Sequence, residues 1–147
     1  MNKEKLQQKL FEIQHKSIEE LKEKISASHS SADIDEDQTI DPEDLSHQSE
    51  LLDLEKAFIQ QLNKAENDLI ILSKIDFTEK NCAEPGALIS TENFHFFLGH
   101  AVIPFDFEGK HIVGVSIDSP IYPEMKGKRI GESFSYSQKK YTIIDIN

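Results

Sequence analysis

The sequence predicts an α+β protein in which an N-terminal antiparallel coiled-coil hairpin of two long helices precedes a small antiparallel β-sheet domain with one short helix. Two observations predict this division. The first 75 residues contain no glycine and a single proline, and they carry two apolar stripes at helical spacing. After Ile75 the chain changes to short stretches rich in β-branched and aromatic residues. We therefore expect the hairpin over residues 1–76 and the sheet domain over residues 77–147.

The two stripes define the helices of the hairpin. The first helix is expected over about residues 2–28 and the second over about residues 42–75. Neither helix can bury its stripe alone, and the connection between them is short, so an antiparallel pair is expected. About 30 helical residues give an arm on the order of 45 Å long. The stripe residues are Leu6, Leu10, Phe11, Ile13, Ile18, Leu21 and Ile25 in the first helix, and Leu51, Phe58, Leu62, Ala65, Leu69 and Leu72 in the second.

The second half has the alternation and the turn residues of a small sheet. A short helix is predicted over residues 120–126, because proline lies near their start and Gly127 follows them. A turn is expected at residues 108–110, which read Glu-Gly-Lys. Strands are expected at residues 87–91, 94–103, 111–117, 134–136 and 141–146.

Charge and cysteine content exclude several classes of protein. The net charge of -11, without a dense Lys/Arg cluster, argues against autonomous binding to nucleic acid. Cys82 is the only cysteine, which excludes an internal disulfide and a multi-cysteine zinc site, and we expect it to be a half-buried structural residue. No apolar run has the length of a membrane span, and no signal-peptide core follows Met1. We expect a cytoplasmic monomer.

Acidic residues concentrate where the hairpin should turn, at about residues 29–44. Seven carboxylates and no Lys or Arg lie between His29 and Asp44. The string Asp41-Pro42-Glu43-Asp44 suits a helix start, with Asp41 as N-cap and proline at the first helical position. It also places Asp41 and Asp44 three residues apart, where two carboxylates can share one divalent cation. The sequence leaves both interpretations open.

A second acidic cluster lies in the expected loop itself. It is either a solvated charge run or a rival set of ligands for a cation. Its spacing, without a central glycine, is not that of a calcium-binding EF-hand loop. The cluster consists of Asp33, Asp35, Glu36 and Asp37.

The C-terminal half carries a string with a family resemblance. Residues 115–121 read Val-Ser-Ile-Asp-Ser-Pro-Ile, and Gly127-Lys128 and Ile130-Gly131-Glu132 follow. Together with the preceding hairpin, this resembles the Gre transcript-cleavage factors of bacteria. The resemblance implies an FKBP-like fold for the second domain and RNA polymerase as the partner. It also implies that Asp118, Ser119 and Pro120 contact the rim of the polymerase's secondary channel. The alternative is an ordinary turn with Ser119 and Pro120 as cap and first turn of the helix.

The arm's tip departs from the Gre pattern. Asp41-Pro42-Glu43-Asp44 resembles the Asp-Pro-x-Asp tip of DksA-type factors, which enter the same channel, whereas the Gre tip carries a Glu-Asn pair. The resemblance implies that Asp41 and Asp44 act in the polymerase active site on a shared Mg²⁺. It leaves open whether they stimulate RNA cleavage or regulate initiation without cleavage.

Other catalytic or ligand sites find little support in the sequence. No serine triad, phosphate loop or Cys-His pair is visible, so we expect no self-contained enzyme and no cofactor bound by the chain alone. His95 and His100 are spaced for opposite faces of a strand, which argues against a metal pair. Five phenylalanines are expected to form the sheet's core. If these residues instead lined a pocket, the second domain would suit a prolyl isomerase. For the whole chain, a coiled-coil adaptor is the other alternative. They are Phe94, Phe96, Phe97, Phe105 and Phe107.

Overall fold

A computed structural model describes residues 2–32 and 41–147 of the chain. Two long helices come first, α1 (Lys3–Ala32) and α2 (Pro42–Lys74), and strands with one short helix follow. Among the described residues, no helix combines the length and the apolar character needed to cross a membrane. The later elements are β1 (Leu88–Ser90), β2 (His95–Leu98), β3 (Phe105–Phe107), β4 (Lys110–Val115), α3 (Tyr122–Met125), β5 (Ser133–Tyr136), β6 (Lys139–Thr142) and β7 (Asp145–Ile146).

By their contacts, the residues form two compact units. The sheet unit comprises Met1–Phe11 and Ile70–Asn147, and the arm unit comprises Glu12–Leu69. Each long helix therefore contributes its residues to both units. The predicted fold class, a helical hairpin followed by a small sheet domain with one short helix, is confirmed.

The arm unit is an antiparallel pair of helices with a narrow interior. Ile18, Leu21 and Ala65 are buried in it, and Phe58, Leu62 and Leu69 pack partly against them. The antiparallel direction is visible in two contacts. The side-chain Nε2 of Gln14 donates a hydrogen bond of 2.7 Å to the carbonyl of Ala65, and Lys24 lies over the ring of Phe58. The buried Gln14 contact fixes the helix register, because a polar side chain inside a helical seam needs its partner.

The helix α1 extends further than its apolar stripe predicts. Its end was expected near residue 28, and it continues through Ala32. Serines favour turns because their hydroxyls compete for backbone partners, but here the hydroxyl of Ser30 donates to the carbonyl of Ser26, inside the helix. The expected tip segment, residues 29–44, is therefore helical at both of its described ends.

The main sheet of the sheet unit has the strand order β3-β4-β2-β1-β7, and β5 and β6 form a separate hairpin. The pairs β1–β2, β1–β7 and β3–β4 are antiparallel, but β2 and β4 are parallel. The expectation of a purely antiparallel sheet is wrong at this pair. The reason is that the chain leaves β2, forms the edge strand β3, and returns as β4 between them.

A close backbone approach ends β2 earlier than expected. A strand was expected to reach residue 103, but β2 ends at Leu98, and the following Gly99 has a φ of 111°. A Cβ atom at Gly114 of β4 would lie 2.6 Å from both the carbonyl oxygen of His100 and the amide nitrogen of Val102. The segment after β2 therefore lies against β4, and Phe105–Phe107 forms a strand that the sequence did not predict.

Side chains pack against both faces of the main sheet. Neighbouring residues of a strand point to opposite faces, so Ile89 and Phe96 join one buried cluster while Leu88 and Phe97 join the other. Tyr122 and Met125 of α3 complete the first cluster. The second cluster is completed by Leu6 and Leu10 from the N-terminal end of α1 and by Leu72 from the C-terminal end of α2. The sheet unit is thus a three-layer arrangement, where only one covering helix was predicted.

Hydrogen bonds from Lys3 hold the start of α1 against other residues of the sheet unit. The Lys3 ammonium group donates hydrogen bonds of 2.7 Å and 2.8 Å to the carbonyls of Thr78 and Gly86. Burial and the nearby Lys80 lower the pKa of Lys3 to about 8. Lys80 in turn contacts Asp76 at 2.6 Å, and this hydrogen bond, with those from Thr78, lowers the pKa of Asp76.

Candidate functional site

The start of α2 is the first candidate site, and its backbone has the geometry of a helix N-terminus. The carbonyl of Asp41 accepts hydrogen bonds from the amides of Asp44, at 3.0 Å, and Leu45, at 3.2 Å. Pro42 is the first helical residue, so the predicted helix start is confirmed. Proline suits this position because the first amides of a helix have no partner within it.

The carboxylates at this helix start face solvent. Asp41, Glu43 and Asp44 are all exposed, and Glu43 and Asp44 lie in the first turn, where negative charge is favourable. None of the three is in an ion pair within residues 2–32 and 41–147. They thus form a free negative patch. The rival cluster at Asp33, Asp35, Glu36 and Asp37 lies outside the described residues.

Two exposed carboxylates are a partial ligand set for a divalent cation. In the described part of the chain, no group of three or more His, Cys, Asp or Glu side chains is arranged to hold a metal. Magnesium commonly takes one or two protein carboxylates and completes its octahedron with water or phosphate oxygens. The residues Asp41 and Asp44 fit such a role as two ligands of a cation whose other ligands come from elsewhere.

The turn between β4 and α3 is the second candidate site. The amide of Ser119 donates to the carbonyl of Ser116 at 3.1 Å, and the carbonyl of Ser119 accepts from the amide of Tyr122 at 3.0 Å. These two bonds form consecutive turns that lead into α3. They leave Asp118 and Pro120 exposed and Ser119 half-buried.

The interpretation of Ser119 and Pro120 as cap and first turn of the helix is wrong. The helix α3 begins at Tyr122, its N-cap is Ile121 in an α-helical conformation, and no side chain caps it. Pro123, at the second helical position, replaces the free amide that a cap would have satisfied. The side chains of residues 118–120 are therefore not needed as helix caps.

Ile117 also belongs to this second site, although the sequence did not mark it as a site residue. It was assigned to a strand, yet β4 ends at Val115, and 53% of Ile117 is exposed. An exposed β-branched residue beside Asp118 and Pro120 gives the turn an apolar contact surface. Val115 is the last buried position of β4, and no alternation of burial along the strand marks its end.

Within residues 2–32 and 41–147, histidine and cysteine side chains do not form a metal site. His95 lies in β2, whereas His100 is buried beyond the strand's end, so they do not occupy opposite faces of one strand as expected. Burial and the nearby Lys110 lower the pKa of His95, and in the described structure its Nδ1 is buried without a hydrogen-bond partner. Cys82 is free and half-buried, as predicted.

Four of the five phenylalanines pack in or against the core, as expected, and Phe94 does not. Phe96 and Phe97 are buried on opposite faces of the main sheet, and Phe97 stacks on Phe77 with ring centroids 5.5 Å apart. Phe105 and Phe107 pack partly against the same cluster as Phe97. A pocket lined by all five phenylalanines is therefore excluded, and only Phe94 presents a substantial part of its ring to solvent.

Comparison with solved structures finds a likeness to a Gre-factor homolog. The crystal structure of the GreA factor homolog 1 protein of Thermus thermophilus matches 97% of this chain over 93% of its own length. The sequence identity is 14% and the TM-score is 0.36. These values are too low to carry a fold or a function from one protein to the other. No protein-family model matches the sequence, and no curated protein matches it.

Proposed function

We propose that the chain is an accessory factor of bacterial RNA polymerase that presents the carboxylates at the start of α2 to the polymerase active centre. The single observation that carries this proposal is the exposed acidic patch of Asp41, Glu43 and Asp44 on a two-helix arm, which forms no ion pair with any described residue. The patch has no Lys or Arg between His29 and Asp44 to neutralise it. Such a patch suits a metal-bearing site on a partner rather than a nucleic-acid surface.

In this proposal the chain completes an active site that belongs to the polymerase. Asp41 and Asp44 would hold one Mg²⁺ jointly with polymerase carboxylates and orient a water molecule beside it. A second metal, when bound, supplies the charge stabilisation of two-metal phosphodiester hydrolysis. The chain has no catalytic step of its own and binds no cofactor alone. It acts as a monomer in the cytoplasm, where the polymerase is.

The same carboxylates support a non-cleaving alternative. Without a correctly placed water, they would alter the charge around the polymerase's metal and change the lifetime of promoter complexes. The Asp-Pro-Glu-Asp start of α2 favours this version, since it resembles the DksA-type tip rather than the Gre tip. Both versions require the carboxylates themselves.

Docking would use the exposed turn formed by Ile117, Asp118, Ser119 and Pro120. Its side chains are not required as helix caps, and it combines one apolar, one acidic and one conformationally fixed residue. A rigid surface of this kind loses little conformational entropy on binding.

Binding of purified core RNA polymerase to the full chain tests the proposal. We expect Asp118→Ala with Pro120→Ala to weaken binding by about tenfold or more, as expected when central interface contacts are lost. The melting temperature should stay within about 3 °C, because exposed surface substitutions change stability little. Glu108→Ala with Pro104→Ala, which are also exposed in the sheet unit, is the matched control and should leave affinity unchanged. Equal affinity for the test variant, or no binding by the native chain, would refute the proposal.

A further inference from the structure

The hairpin of β5 and β6 has an open edge. Ser137 and Gln138 connect the strands with φ values of 48° and 64°, and two successive positive values define a type I′ turn. The pair Tyr136 and Lys139 closes this two-residue turn. In the described chain, β6 pairs with β5 alone.

The register determines which backbone groups face away from β5. The closing pair of a two-residue hairpin exchanges both backbone hydrogen bonds, and such pairs alternate along an antiparallel ladder. Phe134 and Tyr141 are therefore the next hydrogen-bonded pair. It follows that Lys140 and Thr142 direct their amide and carbonyl groups outward, to the open edge of β6.

A cleft lies at this edge. Its volume is about 410 Å³, and residues 91–94 and Lys139–Thr142 line it. The Phe94 ring meets the Tyr141 ring edge-on, with centroids 6.2 Å apart, and 36% of Phe94 is exposed. The Thr91 hydroxyl fixes this wall, because it donates to the carbonyl of Phe94 at 2.9 Å and accepts from its amide at 3.3 Å. The cleft thus combines outward backbone groups with an ordered aromatic wall.

The charge of the cleft has the opposite sign to that of the chain. Lys139 and Lys140 are exposed, and neither is in an ion pair among the described residues, although the net charge of the chain is -11. They lie on opposite faces of β6, because strand residues alternate. Glu92 is the only carboxylate that lines the cleft. The cleft therefore favours a partner with negative charge.

We infer that the open edge of β6 binds an extended acidic segment of a partner protein as an added strand. Backbone hydrogen bonds would form with Lys140 and Thr142, as in other cases of strand addition. Side chains of the segment alternate between two faces. On one face of the added strand, aliphatic side chains pack on Phe94 and Tyr141. On the other face, acidic side chains lie opposite Lys140. Lysines on an edge strand often serve only to prevent association, but here an aromatic cleft lies beside them.

Binding at this edge does not depend on RNA polymerase, so it is tested with the full chain alone. The probe is a synthetic six-residue peptide of alternating valine and glutamate, acetylated and amidated at its ends. NMR amide shifts of the labelled chain should change at residues 91–94 and 139–142. A peptide with lysine in place of glutamate should not bind. A peptide with methylated backbone nitrogens should also fail, because it cannot complete the ladder.

Charge reversal gives the matched variants. Lys139→Glu with Lys140→Glu should weaken peptide binding by about tenfold, because the charge pair with Lys140 is lost and two negative charges then repel the acidic peptide. Lys16→Glu with Lys56→Glu changes the net charge equally at two exposed sites of the arm unit, and should alter affinity less than about twofold, since distant exposed charges are screened. Equal binding of the methylated or lysine peptide would overturn the inference. So would the absence of binding by the glutamate peptide at millimolar concentration, because the lysines would then only guard the edge.

Discussion

The sheet unit and the arm unit have interiors of different kinds. The sheet unit encloses large apolar side chains completely, among them Phe97, Ile89 and Met125. The arm unit has Ile18, Leu21 and Ala65 in its interior. Two polar residues of α1, Gln14 and Ser28, are also buried. Burial of apolar area is the main stabilising contribution to folding. The sheet unit is therefore the stable part, and the arm unit is held by a narrow seam in which polar contacts fix the register.

The largest effect is expected from a cavity in the sheet unit. Phe97→Ala removes a fully buried ring that stacks on Phe77, and should lower the free energy of unfolding by about 3–5 kcal/mol. Ile18→Ala in the arm unit should cost about 2 kcal/mol, because a two-helix seam can close around a smaller side chain. Urea unfolding followed by circular dichroism measures both. Equal losses would contradict the difference between the two interiors.

A smaller effect is expected from the polar contact in the seam. Gln14→Ala should lower stability by about 1–2 kcal/mol, because the carbonyl of Ala65 loses a buried hydrogen bond. Gln14→Leu should restore or exceed native stability, since apolar packing replaces the polar pair, but it should broaden the amide signals of the arm unit by allowing other registers. A sharp single set of signals in the leucine variant would show that Gln14 does not determine register.

The smallest effect is a pH dependence that comes from Lys3, because solvent screens this half-buried ammonium group and reduces the change in stability. Its pKa is about 8 in the folded chain, against 10.5 as the ordinary value, because burial and Lys80 disfavour its charge. Between these two values the unfolded chain binds the proton more tightly, so folded stability rises with pH across this window. Below pH 8 the amine is protonated in both states and contributes no further change.

The measurement for Lys3 is a difference between two proteins. The stability of the native chain minus that of Lys3→Met should increase from pH 7.5 to pH 10, because the titration of all other groups cancels. A difference that stays flat over this range would mean that the carbonyls of Thr78 and Gly86 hold Lys3 charged and keep its pKa at or above the ordinary value.

The long helices were predictable because their signal is local and repeated. An apolar stripe and the absence of glycine specify a helix over many residues, and Asp41-Pro42 marked the start of α2 correctly. The same kind of signal at Ser119-Pro120 did not mark the start of α3, which begins at Tyr122. In a helix of four residues, the packing of Tyr122 and Met125 in the core determines position more than capping does.

The sheet's topology was not predictable from local signals. The parallel pairing of β2 with β4 joins two strands that are separated in sequence by β3, and Gly114 lies close against residues 100–102. The alternation of β5 and β6 was visible in part, but the open edge and the cleft beside Phe94 require the register and the turn at Ser137 and Gln138. Of the candidate sites, the exposed acids were therefore predictable from the sequence, and the surfaces that require tertiary structure were not.

The Asp41→Asn/Asp44→Asn variant tests whether these two carboxylates act in the polymerase active centre. The quantities to measure are transcript cleavage with core RNA polymerase and promoter-complex lifetime with the holoenzyme. Asparagine caps a helix about as well as aspartate, so stability should be unchanged, to within about 0.5 kcal/mol. We expect the variant to bind polymerase but to lose the native chain's effect on transcription. Asp53→Asn, an equally conservative change at an exposed site of α2, should retain the effect. Full activity of the double variant would show that Asp41 and Asp44 do not act in the polymerase active centre, and Asp33, Asp35 and Asp37 would be the next candidates.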